Sequence, residues 1–244
     1  YVDNCINSDV IMKNFKRIGM VVALIEEQEY VIKKFGKPIK KYEFGQIKVT
    51  EFNYNGCKLF MADSGVGEIS AALSTQMLIL QFNVDVILNF GVVGSLSSDL
   101  NCGGVVYVGE IVHHDFTTSY KNKDMAGKYL FQMDSFVFEA DKNMIEIAQK
   151  VIGKKKVVRI VSGDKFVDDN DLRDWLINHF GGEICDMESA GIYFACRNHG
   201  VPFLMIKAVS DSADENANED FSATIDAGVT FYVDAIKKLL DYLC

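Results

Sequence analysis

Glu27, Glu188 and Asp211 each stand at or just past the end of a short apolar run. Residues 18–25 precede Glu27, residues 184–187 precede Glu188, and residues 203–210 precede Asp211. If those runs are parallel strands, the three carboxylates gather at the carboxyl edge of one sheet, where open α/β sheets bind ligands. Carboxylates converging on one edge point to acid–base chemistry on a hydroxylated, nitrogenous substrate.

The elements that must position them read as alternating strands and helices. Residues 18–25, 84–90, 157–162, 184–187 and 202–209 have strand length and continuous apolar character, as buried strands do. Helical stretches are expected over 26–35, from 68 to about 82, and over 141–152, 170–180, 188–199 and about 222–243. Two alternating segments within 42–64 are joined by Asn55-Gly56, a strong hairpin signal. Strands alternating with helices predict an α/β fold with a mostly parallel sheet. Residues 104–112 read as a further strand and 116–137 as irregular.

Composition narrows the classes. The chain has 244 residues, 49% of them hydrophobic, and only two prolines. A single α/β domain of this size is ordinary. The expected division is an N-terminal extension over 1–16 followed by one domain over 17–244. With 25 basic and 34 acidic residues the net charge is −9, which repels phosphate backbones. Nucleic acid is therefore not an expected partner. No run reaches the roughly eighteen apolar residues of a membrane span, so no membrane partner is expected either.

The cysteines at 5, 57, 102, 185, 196 and 244 form no Cys-x-x-Cys pair. They read as free thiols in a reducing, cytoplasmic compartment. Export is left open by an N-terminus that starts at Tyr1. Metal-ligand spacing is lacking. His113-His114-Asp115 is the one local candidate, and such a trio more often caps a strand end. No metal and no cofactor are expected.

Four segments carry the remaining signal. Gly91-Val92-Val93-Gly94 follows a strand but is neither a dinucleotide nor a P-loop fingerprint. It reads equally as a plain turn or as a place where a flat ligand approaches the backbone. Ser162-Gly163-Asp164-Lys165-Phe166-Val167 offers an aromatic that stacks on a base, or simply a core Phe. In Asp186-Met187-Glu188-Ser189-Ala190-Gly191, capping is the default explanation for an acid at a helix start. The alternative is that Glu188 accepts hydrogen bonds from vicinal hydroxyls. Ser210-Asp211-Ser212-Ala213-Asp214 makes a turn, or else presents Asp211 as a general acid.

Together, Val161-Ser162-Gly163-Asp164-Lys165-Phe166, Asp186-Met187-Glu188-Ser189-Ala190 and the stretch from Lys207 to Asp214 resemble the nucleoside phosphorylase/hydrolase superfamily. The branch they resemble is that of the 5′-methylthioadenosine/S-adenosylhomocysteine nucleosidases. The resemblance runs from about Arg17 to the C-terminus. It implies a three-layer α/β/α sandwich around a central mixed, mostly parallel sheet.

It also implies roles. Asp211, oriented by Ser210, protonates ring nitrogen 7 of adenine. Glu27 positions and deprotonates the attacking water. Glu188 binds the ribose hydroxyls, with Met187 packed on the sugar. Phe166 stacks on the base, and the Val167 backbone reads its edge. Val92, Val93 and Gly94 line the back of the pocket. Phe221 and Val66 touch the 5′ group, and Leu24 suits a pocket shared with the second subunit of a homodimer. Lys207 stands near the ribose where this branch commonly has Arg, and Val93 where it has Ala.

The implied reaction is hydrolysis of the N-glycosidic bond of 5′-methylthioadenosine and/or S-adenosylhomocysteine. Alternatives are a nucleosidase for another 5′-modified adenosine, such as 5′-deoxyadenosine or a futalosine-like substrate, a purine nucleoside phosphorylase, and a nucleoside-binding protein on the same fold. The phosphorylase branch usually shows Gly-Asp-Pro-x-Arg after the first strand. Here that loop reads Ala23-Leu24-Ile25-Glu26-Glu27, and a carboxylate there suits water rather than an oxyanion.

Overall fold

A computed structural model of the chain describes residues 15–117, 126–127, 135–215, 217, 219, 232 and 234–244, the side chains of 25–27 excepted. Strand β1 (Arg17–Val22) is buried from Ile18 onward and leads into helix α1 (Ile25–Phe35). Three antiparallel-linked strands follow, β2 (Lys40–Phe44), β3 (Ile47–Tyr54) and β4 (Cys57–Asp63). The β3–β4 turn is the expected Asn55-Gly56, with φ of 46° and 89°, both left-handed as a type I′ hairpin requires. Strand β2 was not expected. Its register face is mostly exposed, so it lacks the apolar run that marks a strand.

Helix α2 (Glu68–Phe82) returns the chain to strand β5 (Val86–Ser95), and β6 (Val105–His113) and the short β7 (Phe138–Glu139) come next. Helix α3 (Lys142–Val151) is capped by Asp141, whose side chain accepts from Met144 N. Strand β8 (Val157–Ser162), helix α4 (Asn170–Phe180), strand β9 (Ile184–Asp186), helix α5 (Ser189–His199) and strand β10 (Phe203–Asp211) complete the alternation. Residues 234–243 are helical at the end. The result is the expected α/β sandwich with a central mixed sheet. Parallel pairings join β4, β1, β5 and β10, and also β6, β8 and β9.

The sheet also closes on itself. β10 pairs with both β5 and β6, and β9 pairs with both β8 and β5, so β5, β10, β6, β8 and β9 form a ring. Periodicity has no signature for such closure. It matters here because it brings the ends of β5, β8, β9 and β10 around one opening.

Strand β5 is longer than its sequence suggested. The expectation ended it at Phe90, with Gly91–Ser95 as a turn, but the strand continues to Ser95. β10 supplies the reason, because its register runs beside Gly91 to Gly94. The last β1–β5 pair, meanwhile, is Val21↔Asn89. Beyond that point β1 no longer borders β5, and β9 takes up the pairing only at Gly94 and Ser95.

The cysteine reading needs correction. Cys57 at the start of β4 is joined to Cys244 by a disulfide. Cys102, Cys185 and Cys196 are free, and Cys5 lies outside the described residues. A pairing across 187 residues leaves no spacing motif to read. The pairing removes the all-thiol observation on which the reducing-compartment reading rested. Among the described residues, no helix is long and apolar enough to cross a membrane.

Candidate active site

Where β1 stops and β5 continues, a cleft of about 750 Å³ opens, partly to solvent. Ala23 and Leu24 form one lip, and Phe90 to Gly94 of β5 form the floor. Val66, Phe166, Val167, Met187, Glu188, Lys207, Ser210 and Asp211 line the rest. Twelve of the fourteen residues expected at the site therefore meet in this cleft. Phe221 lies outside the described residues, as does the side chain of Glu27, whose backbone is in the first turn of α1.

Asp211 is buried at the end of β10. The β5–β10 register slips between Val209 and Asp211, which pair with Val93 and Gly94. Such a bulge re-aims a side chain at a strand end. One carboxylate oxygen, Oδ1, accepts from Ala213 N at 2.9 Å. The other, Oδ2, is 2.7 Å from Ser210 Oγ, which is also 3.2 Å from the Val93 carbonyl. Gly94 permits this approach, since a Cβ there would stand 2.9 Å from Asp211 Oδ1 and 2.9 Å from Cys185 Sγ. Burial, reinforced by the Asp211 and Asp186 charges, pushes the Cys185 thiol up. Cys185 is thus an inert wall of the cleft.

Glu188 does not cap its own helix. It occupies the N-cap position of α5, yet its side chain makes no capping bond there. Instead Oε1 accepts the backbone N–H of Gly67 at 3.1 Å, at the start of α2, and Oε2 accepts from Met187 N at 3.3 Å. The capping explanation therefore gives way to a carboxylate stretched between two helix starts and facing the cleft.

The loop after β8 supplies the opposite wall. Phe166 is 42% exposed there, while Val167 is buried. Asp164 anchors the loop, its Oδ1 accepting from Glu68 N at 2.7 Å and its own N–H donating to Asp115 Oδ2 at 2.9 Å. Asp115 in turn pairs with His113 Nε2 at 2.9 Å. Burial opposes the charge on Asp115, but the His113 bond and the adjacent imidazoles outweigh it and hold the carboxyl at about 2. Burial holds His114 down at about 4, so it is neutral at pH 7. The His113-His114-Asp115 trio thus braces a loop. Gly163 fits above it because a Cβ would meet His114 Nε2 at 2.6 Å.

Lys207 is buried and pairs with Asp186 Oδ2 at 2.8 Å. Burial resists the charge on Asp186, but the Lys207 ammonium and the hydroxyls of Ser162 and Ser189 outweigh it and keep the carboxyl below its ordinary value. Asp186 and Ser162 sit inside two of the motifs that carry the family resemblance. Glu68 was missed entirely. As an acid in a first helical turn it reads as an ordinary complement to the dipole, yet it is buried.

The Phosphorylase superfamily model matches residues 17–241, and the chain belongs to that superfamily. Within it, the chain is similar to nucleosidases. The aminodeoxyfutalosine nucleosidase of Helicobacter pylori strain 26695 is 28% identical over 93% of this chain and 99% of its own length. The 5′-methylthioadenosine/S-adenosylhomocysteine nucleosidase of Buchnera aphidicola subsp. Schizaphis graminum is 30% identical over 86% of this chain and 89% of its own. The crystal structure of 5′-methylthioadenosine/S-adenosylhomocysteine nucleosidase from Helicobacter pylori with butyl-thio-DADMe-Immucillin-A superposes with a TM-score of 0.87. It is 26% identical and is covered over 98% of its length by 93% of this chain.

Proposed function

We propose that this chain is an N-glycosidase that hydrolyses 5′-methylthioadenosine and/or S-adenosylhomocysteine to adenine and a 5-thioribose product. The observation that carries the reading is the Asp211 corner, a buried carboxyl at a strand end, held by a serine and facing a cleft with a second carboxylate across it.

The hydrogen bonds around Asp211 serve it both with and without a proton, as an acid needs. Its Oδ1 is engaged as an acceptor by Ala213 N–H. Ser210 has one hydroxyl proton, and both the Val93 carbonyl and Asp211 Oδ2 lie within its reach. While that proton points to the carbonyl, Oδ2 carries a proton of its own and donates it. Once Asp211 has given a proton to nitrogen 7 of the base, the Ser210 hydroxyl turns to the new carboxylate. Stabilisation therefore appears as charge develops, where it accelerates the step.

The C1′–N9 bond breaks with its electron pair going to the protonated base. Glu27 takes a proton from water as the water oxygen bonds to C1′. Glu188 accepts the ribose hydroxyls, Met187 packs on the sugar, and Phe166 stacks on adenine beside the Val167 backbone. Val92, Val93 and Gly94 back the base, and Lys207 acts on the ribose end through its pair with Asp186. Val66 and Phe221 meet the 5′ group.

A second reading, cleavage of a futalosine-type nucleoside, is favoured by the Helicobacter pylori relative aligned along 99% of its length. Comparing kcat/KM for 5′-methylthioadenosine, S-adenosylhomocysteine, 5′-deoxyadenosine and aminodeoxyfutalosine separates the readings. A preference of more than tenfold for aminodeoxyfutalosine would overturn the first.

We also propose a homodimer. Ile69, Leu73 and Leu80 are 72%, 56% and 55% exposed along one face of α2, and the stripe begins beside Val66 at the cleft. Leu24 sits on the same rim. Contiguous exposed apolar side chains of this kind mark association surfaces. Sedimentation of Leu73→Asp is expected to show a monomer where the parent chain is dimeric, and a parent that sediments as a monomer would refute the proposal.

A further inference from the structure

A buried cluster extends from Asp186 at the cleft wall to Glu68, a residue that has no part in the chemistry proposed above. Glu68, the first residue of α2, folds its side chain back against α5 and the end of β8. Its Oε2 accepts from Gly191 N, and its Oε1 meets Ser162 Oγ. Ser162 Oγ is also 2.6 Å from Asp186 Oδ1 and accepts from Ala190 N at 3.2 Å. The helices are in direct contact here, because a Cβ on Gly191 would fall 2.2 Å from the Glu68 carbonyl.

A hydroxyl has one proton to give and two lone pairs to receive. Ser162 faces two carboxyls and one N–H. Asp186 already accepts from Lys207 Nζ, Ser189 Oγ and Ser189 N, so it is the ionised partner and takes the Ser162 proton. One lone pair of Ser162 receives Ala190 N–H. The other is satisfied only if the Glu68 carboxyl donates to it.

We propose that Glu68 is a positioning residue that enters the fold carrying a proton, and that the chain from Glu68 through Ser162 to Asp186 locks the start of α2 against the start of α5. The consequence falls on the cleft. The N–H of Gly67 holds Glu188, and the N–H of Glu68 holds Asp164 of the Phe166 loop. The lock thus presents both walls of the pocket, and it rests on the reading of Glu188 as the ribose acceptor. Burial and the Asp186 charge raise the Glu68 carboxyl to about 8. The charged groups facing it are Asp186 and Glu188, with Lys207 beyond Asp186 and Asp164 on its own N–H. Ionisation adds a negative charge to this group and leaves Ser162 between two acceptors.

Two measurements test the proposal, using Glu68→Gln and Glu68→Ala. Gln keeps a carbonyl for Gly191 and an N–H donor for Ser162, so it imitates the protonated form. In the parent, KM is expected to rise above pH about 8 while kcat changes little. Gln should retain the low KM and lose the rise, whereas Ala should raise KM about tenfold at every pH.

The second measurement needs no substrate and remains decisive if Glu68→Ala fails to fold. Between the ordinary value of 4.5 and about 8, the unfolded carboxyl has lost its proton and the folded one has kept it. Parent stability therefore falls with pH across that window, so the Tm of Glu68→Gln should climb relative to the parent. Parallel Tm curves would overturn the protonated state. Diverging Tm curves with an unchanged KM rise in Gln would overturn the positioning role. If no nucleoside is cleaved, the function reading falls, and the Tm comparison still judges the proton.

Discussion

Two carboxyls at this cleft each lean on a serine hydroxyl, and their other partners differ. Asp211 shares Ser210 with a backbone carbonyl, so the serine can turn from one acceptor to the other. Asp186 shares Ser162 with Glu68, and Lys207 and Ser189 hold it from the far side. The first arrangement has two hydrogen-bond states, one to the Val93 carbonyl at 3.2 Å and one to Asp211 Oδ2 at 2.7 Å, and suits a proton that comes and goes. The second has one and suits a charge that stays. On the proposed reading, the same pairing of side chains serves turnover at one end of the cleft and rigidity at the other.

The largest expected effect separates the two directly. Asp211→Asn removes the mobile proton and should lower kcat by about a hundred- to ten-thousandfold, with binding of an uncleavable adenosine analogue little changed. Full activity in that variant would erase the distinction. At the rigid end, Lys207→Met strands the Asp186 charge in the interior. It should cost about 3–5 kcal/mol in urea unfolding, as breaking a buried pair does. Recovery in a Lys207→Met, Asp186→Leu double variant would show that the loss comes from the orphaned charge. Glu188→Gln has the smallest effect. It weakens charge-assisted hydrogen bonds to the ribose and should raise KM by about tenfold or more, with kcat less affected.

Most of the cleft was legible because its residues sit in unbroken stretches at strand ends, where side-chain type and position coincide. Asp211 and Ser210 are adjacent, as are Met187 and Glu188, so one motif carries each corner. The fold class was legible for a similar reason, since buried parallel strands write continuous apolar runs. What could not be read depends on contacts between distant segments. Glu68 looks like a routine helix-start acid until α5 and β8 close over it. The extension of β5 through Gly94 exists only because β10 lies alongside, and Cys57 finds Cys244 across nearly the whole chain. The capping explanation for Glu188 was reasonable from local sequence and failed because its side chain takes the Gly67 N–H at the start of α2 instead.

The central claim is that water, activated on the Glu27 side, attacks a sugar whose base leaves with the help of Asp211. It is tested most directly by running the reaction in ¹⁸O-labelled water, with and without inorganic phosphate, and analysing the sugar by mass spectrometry. The account predicts adenine release at the same rate in both buffers, with one label on C1 of the thioribose. An unlabelled sugar 1-phosphate, formed only when phosphate is present, would contradict it.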